Sequence, residues 1–176
     1  VQGSGMGMPS MGIYSYELFH FYGVETIVRV GSAGALQDDL NIGDLVVAAG
    51  CSSFTRYLDQ FGTPGAFAPL GNFELAAAAV KAAREKGFRC VAGNVLSSDT
   101  FYDDDPDFLK KWQRMGVLAV EMETAALYAN AARAGKRALG IFTVSDCPFK
   151  GLATTAEQRQ TAFTGMVETA LELLNG

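Results

Sequence analysis

An α/β layered domain is the architecture this sequence predicts, and three observations carry the prediction. Short β-branched runs alternate with helix-length, alanine-rich stretches; glycines and capping residues mark the changeovers; no repeat or low-complexity linker interrupts the series. Alternation of this kind places helices over both faces of a largely parallel sheet. At 176 residues, 49% hydrophobic and 19% charged, the chain fits one domain spanning residues 1–176.

The elements follow in order. "PSMGIYSYELFHFYG" predicts a helix from about Pro9 to Tyr22, with an early proline and Gly23 as its stop. "ETIVRVGSAGAL" reads as a β-branched strand closed by a glycine-rich loop, and "DLVVAAGCSSF" as a second strand. "TRYLDQFGTPGAFAPLG" is an irregular loop, long enough to suggest a functional or interfacial role. Asn72 caps the helix "FELAAAAVKAAREKG", which Gly87 ends, and "FRCVAGNVLSS" is the next strand. Asp105 and Pro106 open the helix "PDFLKKWQRMG"; "VLAVEM" and "RALGIFTVSD" are strands flanking the helix "TAALYANAARAG". "TTAEQRQTAFTGMVETALELL" carries two overlapping capping boxes, Thr154 with Glu157 and Thr155 with Gln158, ahead of one long amphipathic helix. The first residues, "VQGSGMG", read as the end of a strand entering a glycine turn, so the domain is expected to be N-terminally incomplete.

Composition excludes several functions. No run of 18 apolar residues is present and the start lacks the n-region and h-region of a signal peptide, which predicts a cytoplasmic protein without membrane contact. A net charge of -5 without a Lys/Arg cluster gives nucleic acid nothing to grip, so the expected partners are small ligands. Cys51, Cys90 and Cys147 are odd in number and widely spaced, which argues against a disulfide framework and against a metal site. The single histidine, His20, lies on a predicted helix and reads as a packing or surface residue, so no Ser-His-Asp triad is expected.

Ligands in open α/β folds sit beyond the carboxyl ends of strands, and the distinctive polar residues fall there. Arg29 interrupts a buried run just before small residues, an arrangement suited to an oxyanion, although an arginine there can also snorkel or pair with a structural carboxylate. Glu121 and Glu123 stand at a strand-to-helix changeover, where a carboxylate can accept from both hydroxyls of a sugar diol or complement a helix N-terminus. Met122 between them can lie against a sugar or fill core space. Asp146 ends an apolar strand with Arg159 following in the last helix; it can serve as a general acid or cap a turn. In "SSDTFY", Phe101 and Tyr102 offer a stacking surface for a flat base, or ordinary core aromatics.

Taken together and in order, "GMGMPS", "RVGSAGA", "GNVLSSDTFY", "VEMETAALY", "FTVSD" and "TTAEQRQTAF" resemble the hexameric bacterial branch of the purine nucleoside phosphorylases, in the nucleoside phosphorylase-I family. The resemblance covers essentially the whole chain. It implies a phosphorylase/hydrolase-like three-layer α/β/α fold with a central mixed, largely parallel sheet. It implies a pentosyltransferase that converts a purine nucleoside and phosphate to free base and ribose 1-phosphate or its deoxy form, with phosphate as co-substrate, no cofactor, and a homo-oligomer, hexameric in that branch. By motif, Arg29 and Ser32 would bind phosphate; Glu123, Met122 and Met6 would hold the ribose; Phe101, Val120, Glu121 and Ser145 would line the base site. Asp146 would protonate purine N7, with Arg159 positioning it or assisting proton transfer.

Neighbouring branches are separated by residues in view. Nucleosidases use water and need no phosphate arginine, whereas Arg29 is retained here. Uridine phosphorylases share "SSDTFY" but follow it with a glutamine and an arginine, where this chain has "DDDPDF". Members also carry an upstream phosphate loop with no counterpart here, and Ser4 stands where a histidine is common. A uridine phosphorylase, a nucleosidase and a noncatalytic nucleoside-binding fragment are therefore the competing expectations.

Overall fold

The computed structural model describes residues 1–161 and 163–174. Helix α1 (Gly7–His20) follows a turn in which Gly5 and Gly7 have φ of 68° and 84°, a conformation open to glycine without steric cost. The strands are β1 (Thr26–Ala35), β2 (Leu45–Ser53), β3 (Cys90–Ser97), β4 (Ala119–Glu121), β5 (Arg137–Cys147) and β6 (Leu152–Ala153). The remaining helices are α2 (Phe73–Glu85), α3 (Phe108–Arg114), α4 (Thr124–Ala134), α5 (Ala156–Thr161) and α6 (Thr164–Glu172).

The sheet is mixed. Its long ladders are parallel, β1 against β5 from Thr26/Arg137 to Ala33/Val144, and β2 against β3 from Leu45/Cys90 to Ser53/Ser97. β2 runs antiparallel to β5, and β4 antiparallel to β1. Because β1 pairs with both β4 and β5, strands β1, β4, β3, β2 and β5 close into a ring. Closure rests on a bulge between Ala33 and Gly34, after which β1 meets Val120 and Ala119. From Thr26 to Ser32, β1 pairs on one edge only among the described residues, and a groove of about 680 Å³ runs beside it between α1 and α6.

Helices cover both faces, which gives the three layers. On one side Met8, Met11 and Phe19 of α1 and Ala125–Tyr128 of α4 pack with Phe142 and Val144 of β5. On the other, Ala76, Ala79 and Ala83 of α2 pack with Leu139 and Ile141, joined by Met166 and Ala170 of α6. The centre of the first layer is α4, buried from Thr124 to Ala131. Its alanines let neighbours approach on every side. Its polar residues bolt them together: Asn130 donates to the Gly12 carbonyl and to Ser15 Oγ, both at 2.9 Å. Tyr128 donates to the Ala48 carbonyl at 2.6 Å and accepts from Gly140 N–H at 2.8 Å, linking β2 to β5 beneath the helix.

Two expectations need correction. The "GSAG" stretch is strand, not loop, because β1 continues its ladder with β5 through Ser32 and Ala33. The long C-terminal helix is two helices, with Phe163 between them at φ -94°, ψ 50° and buried in the core. One capping box does form: Thr155 N–H donates to Gln158 Oε1 at 2.9 Å, and Gln158 N–H donates to Thr155 Oγ1 at 3.2 Å. The Thr154 hydroxyl is engaged elsewhere, donating to the Ser145 carbonyl at 2.9 Å. No helix of the described residues is long and apolar enough to cross a membrane.

Replacing Tyr128 with phenylalanine keeps the packing but strands a buried carbonyl and a buried N–H. Urea denaturation of Tyr128→Phe should show a loss of about 1–3 kcal/mol, with an unchanged far-UV spectrum.

Candidate active site

The turn from β4 into α4 organises the site. The first N–H groups of a helix lack intrahelical partners, and here two side chains supply them. Glu121 accepts from Glu123 N–H at 3.0 Å and from Thr124 N–H at 3.1 Å. Ser97, at the end of β3, accepts from Ala125 N–H at 3.0 Å and donates to Glu121 Oε1. Glu121 was expected at the rim of a base pocket; it is buried, and its carboxylate is turned into the helix start. A carboxylate at such a junction finds concentrated donors behind it, and those donors fix its direction.

Glu123, the residue before α4, has the opposite outlook. Its carboxylate accepts from Gly7 N–H at 2.6 Å through Oε1 and from Arg29 Nη2 through Oε2. The Arg29 guanidinium lies over the Phe142 ring at 5.0 Å and has Glu121 at 3.7 Å. Its Nε and Nη1 are buried with no hydrogen-bond partner among the described residues. A Cβ at Gly31 would collide with Nη1, so the glycine in this strand makes room for the guanidinium. Two buried carboxylates thus face one arginine, two of whose nitrogens have no hydrogen-bond partner among the described residues.

A second cluster forms where β5 ends. Asp146 is half-buried and pairs in register with Gly34, which in turn pairs with Val120. A Cβ at Gly34 would lie 2.8 Å from Asp146 Oδ2 and 3.4 Å from Val120 Cγ1. The second glycine of "GSAG" therefore leaves room for the aspartate. Ser145, buried beside it, donates to Asp146 Oδ1 at 2.7 Å.

The remaining expected residues lie as follows. Met6 is exposed at the start of α1, next to the Gly7 N–H that holds Glu123, and Met122 is half-buried between the two glutamates. Ser32 is exposed on β1, three residues beyond Arg29, and its hydroxyl makes no hydrogen bond among the described residues. Phe101 is 76% exposed in the loop before α3, its ring edge-on to Tyr102 at 5.0 Å. Arg159 is exposed and donates to the Thr154 carbonyl at 2.7 Å; among the described residues no ion pair joins it to Asp146. It reaches that cluster only through Thr154, whose N–H donates to the Ser145 carbonyl at 2.9 Å. Two members escaped the sequence reading, Gly7 and Ser97. Gly7 acts through its backbone, and nothing in "LSSD" distinguishes Ser97 from Ser98.

Residues 1–175 match the Phosphorylase superfamily. The chain belongs to that family. A protein of Geobacillus sp. (strain WCH70), named purine nucleoside phosphorylase DeoD-type, is 47% identical over 172 residues, covering 98% of this chain and 73% of that protein. Proteins of the same name from Bacillus cytotoxicus and Alkaliphilus metalliredigens are each 48% identical, over 173 and 174 residues. Membership in the phosphorylase superfamily accords with the mixed sheet and its two helical layers.

Removing one partner of a buried ion pair leaves the other charge uncompensated. Arg29→Met should lower the unfolding free energy by about 3–5 kcal/mol, and adding Glu123→Gln should recover much of that loss. Denaturant titration of the two variants checks both statements.

Proposed function

We propose that this protein is a purine nucleoside phosphorylase, catalysing the reversible phosphorolysis of purine ribo- and deoxyribonucleosides to free base and pentose 1-phosphate. The observation that carries the reading is the Arg29–Glu123 pair: an arginine with two buried, unpartnered donors beside a carboxylate, in a chain nearly half identical to proteins bearing that name. Buried donors left unsatisfied cost about 1–3 kcal/mol each, a cost that a phosphate oxygen would remove. With phosphate engaging Arg29, Glu123 is released to accept from the sugar hydroxyls. Ser32, exposed on the same strand, supplies a further donor to the anion, and Met6 and Met122 lie against the sugar.

In the reaction the glycosidic C1′–N9 bond breaks, its electron pair passes to the purine, and a phosphate oxygen bonds to C1′. The Glu123 carboxylate stabilises the developing positive charge on the pentose, because an anion placed in advance beside that charge favours the transition state. Asp146 delivers a proton to N7 of the departing base, held by the Ser145 hydroxyl. Val120 and Ser145 border the base, and Phe101 closes over it from its exposed loop. Arg159 acts on Asp146 through the Thr154–Ser145 connection. The reaction requires phosphate as co-substrate and no metal. We place the enzyme in the cytoplasm as a homo-oligomer, hexameric like the branch it resembles.

The complete protein should release hypoxanthine from inosine only when phosphate is supplied. Equal release without phosphate would indicate a nucleosidase, and preference for uridine a different branch. Asp146→Asn should reduce turnover of inosine by about 100-fold or more while sparing a nucleoside whose base departs without N7 protonation; equal losses for both substrates would contradict the acid role.

A further inference from the structure

We propose that Ser97 is a positioning residue for this reaction, fixing the first turn of α4 through Glu121 so that Glu123 is presented to the sugar diol. The proposal rests on the ribose-binding reading of Glu123 given above. Ser97 is fully buried, and its hydroxyl has one donor and two acceptor sites. The donor goes to Glu121 Oε1, and one acceptor takes Ala125 N–H at 3.0 Å. The other faces Cys51 Sγ at 3.0 Å. Burial, reinforced by the Glu121 charge, raises the Cys51 thiol far above its ordinary range, so the sulfur stays protonated, and its one S–H has the Ser52 carbonyl at 3.4 Å as well as Ser97 within reach. The Ser97 hydroxyl thus ties the Glu121 carboxylate to the Ala125 N–H, with the Cys51 sulfur against its remaining side.

The consequence is geometric. Ser97 and Glu121 are register partners on adjacent parallel strands, and between them they hold the N–H groups of Glu123, Thr124 and Ala125. The Glu123 side chain makes no capping bond to its own helix. Its direction toward Gly7 and Arg29 is therefore set by a backbone that Ser97 and Glu121 pin from below. Ser97 touches neither phosphate nor nucleoside in this arrangement; it acts through Glu123.

The test compares kcat/KM for inosine with that for 2′,3′-dideoxyinosine, which lacks the diol, in the complete protein bearing Ser97→Ala, Glu123→Ala, or both. A misplaced Glu123 should cost Ser97→Ala on the order of 10- to 100-fold with inosine. With dideoxyinosine the loss should be clearly smaller, because only the charge stabilisation by Glu123 and not its hold on the diol is then at stake, and the double variant should be no worse than Glu123→Ala alone. Equal losses on both substrates, or additive losses in the double variant, would overturn the positioning role. If Ser97→Ala does not fold, Glu121→Gln should show the same selective loss, and a uniform loss there would equally overturn it. Wild-type protein that fails to cleave inosine with phosphate would instead sink the functional reading, an outcome distinguishable from any of these.

Discussion

A buried ion pair between Arg29 and Glu123 joins parts of the chain that are far apart in sequence, the middle of β1 and the start of α4. Taking those charges out of water is expensive, and attraction offsets the cost only when hydrogen bonds complete the arrangement. Glu123 has that support from Gly7 N–H, and Glu121 from Ser97 and two helix N–H groups. Arg29 does not: two of its nitrogens are unpartnered among the described residues. The carboxylates are held at both oxygens, while the cation keeps donors without a partner among the described residues.

The fold serves that pair. α4 must be buried for its N-terminus to stand beside β1, and its alanines allow burial between α1 and the sheet. Tyr128 and Asn130 then supply the polar bonds that an alanine helix lacks. Closure of the sheet brings β4 against the end of β1, which sets Val120 and Asp146 on either side of Gly34. Glycine is needed at positions 31 and 34 for clearance, since both have ordinary backbone angles and each would press a Cβ into a functional side chain.

Much of this was legible in the sequence because it is local. Asn72 caps α2 as its position predicts, its side chain accepting from Leu75 N–H at 3.0 Å, and Thr155 with Gln158 closes a capping box. Strand and helix identities followed from periodicity. What escaped depends on tertiary pairing: glycines in "GSAG" signal a loop until a ladder with β5 is known, and the break at Phe163 follows from its burial. At the site, Glu123 and Asp146 stood out as charges at strand ends, and Arg29 as a charge interrupting an apolar run. The direction of Glu121 did not, because two glutamates two residues apart look alike until the helix N-terminus between them is located. Ser97 gave no signal, for its importance lies wholly in what surrounds it.

The most direct test is a crystal structure of the complete protein with phosphate and a 9-deazapurine nucleoside, whose carbon–carbon glycosidic bond cannot be cleaved. The account predicts phosphate oxygens bonded to Arg29, both sugar hydroxyls on Glu123, and the base beside Asp146. Ligands bound elsewhere, with Arg29 and Glu123 still joined only to each other, would contradict it.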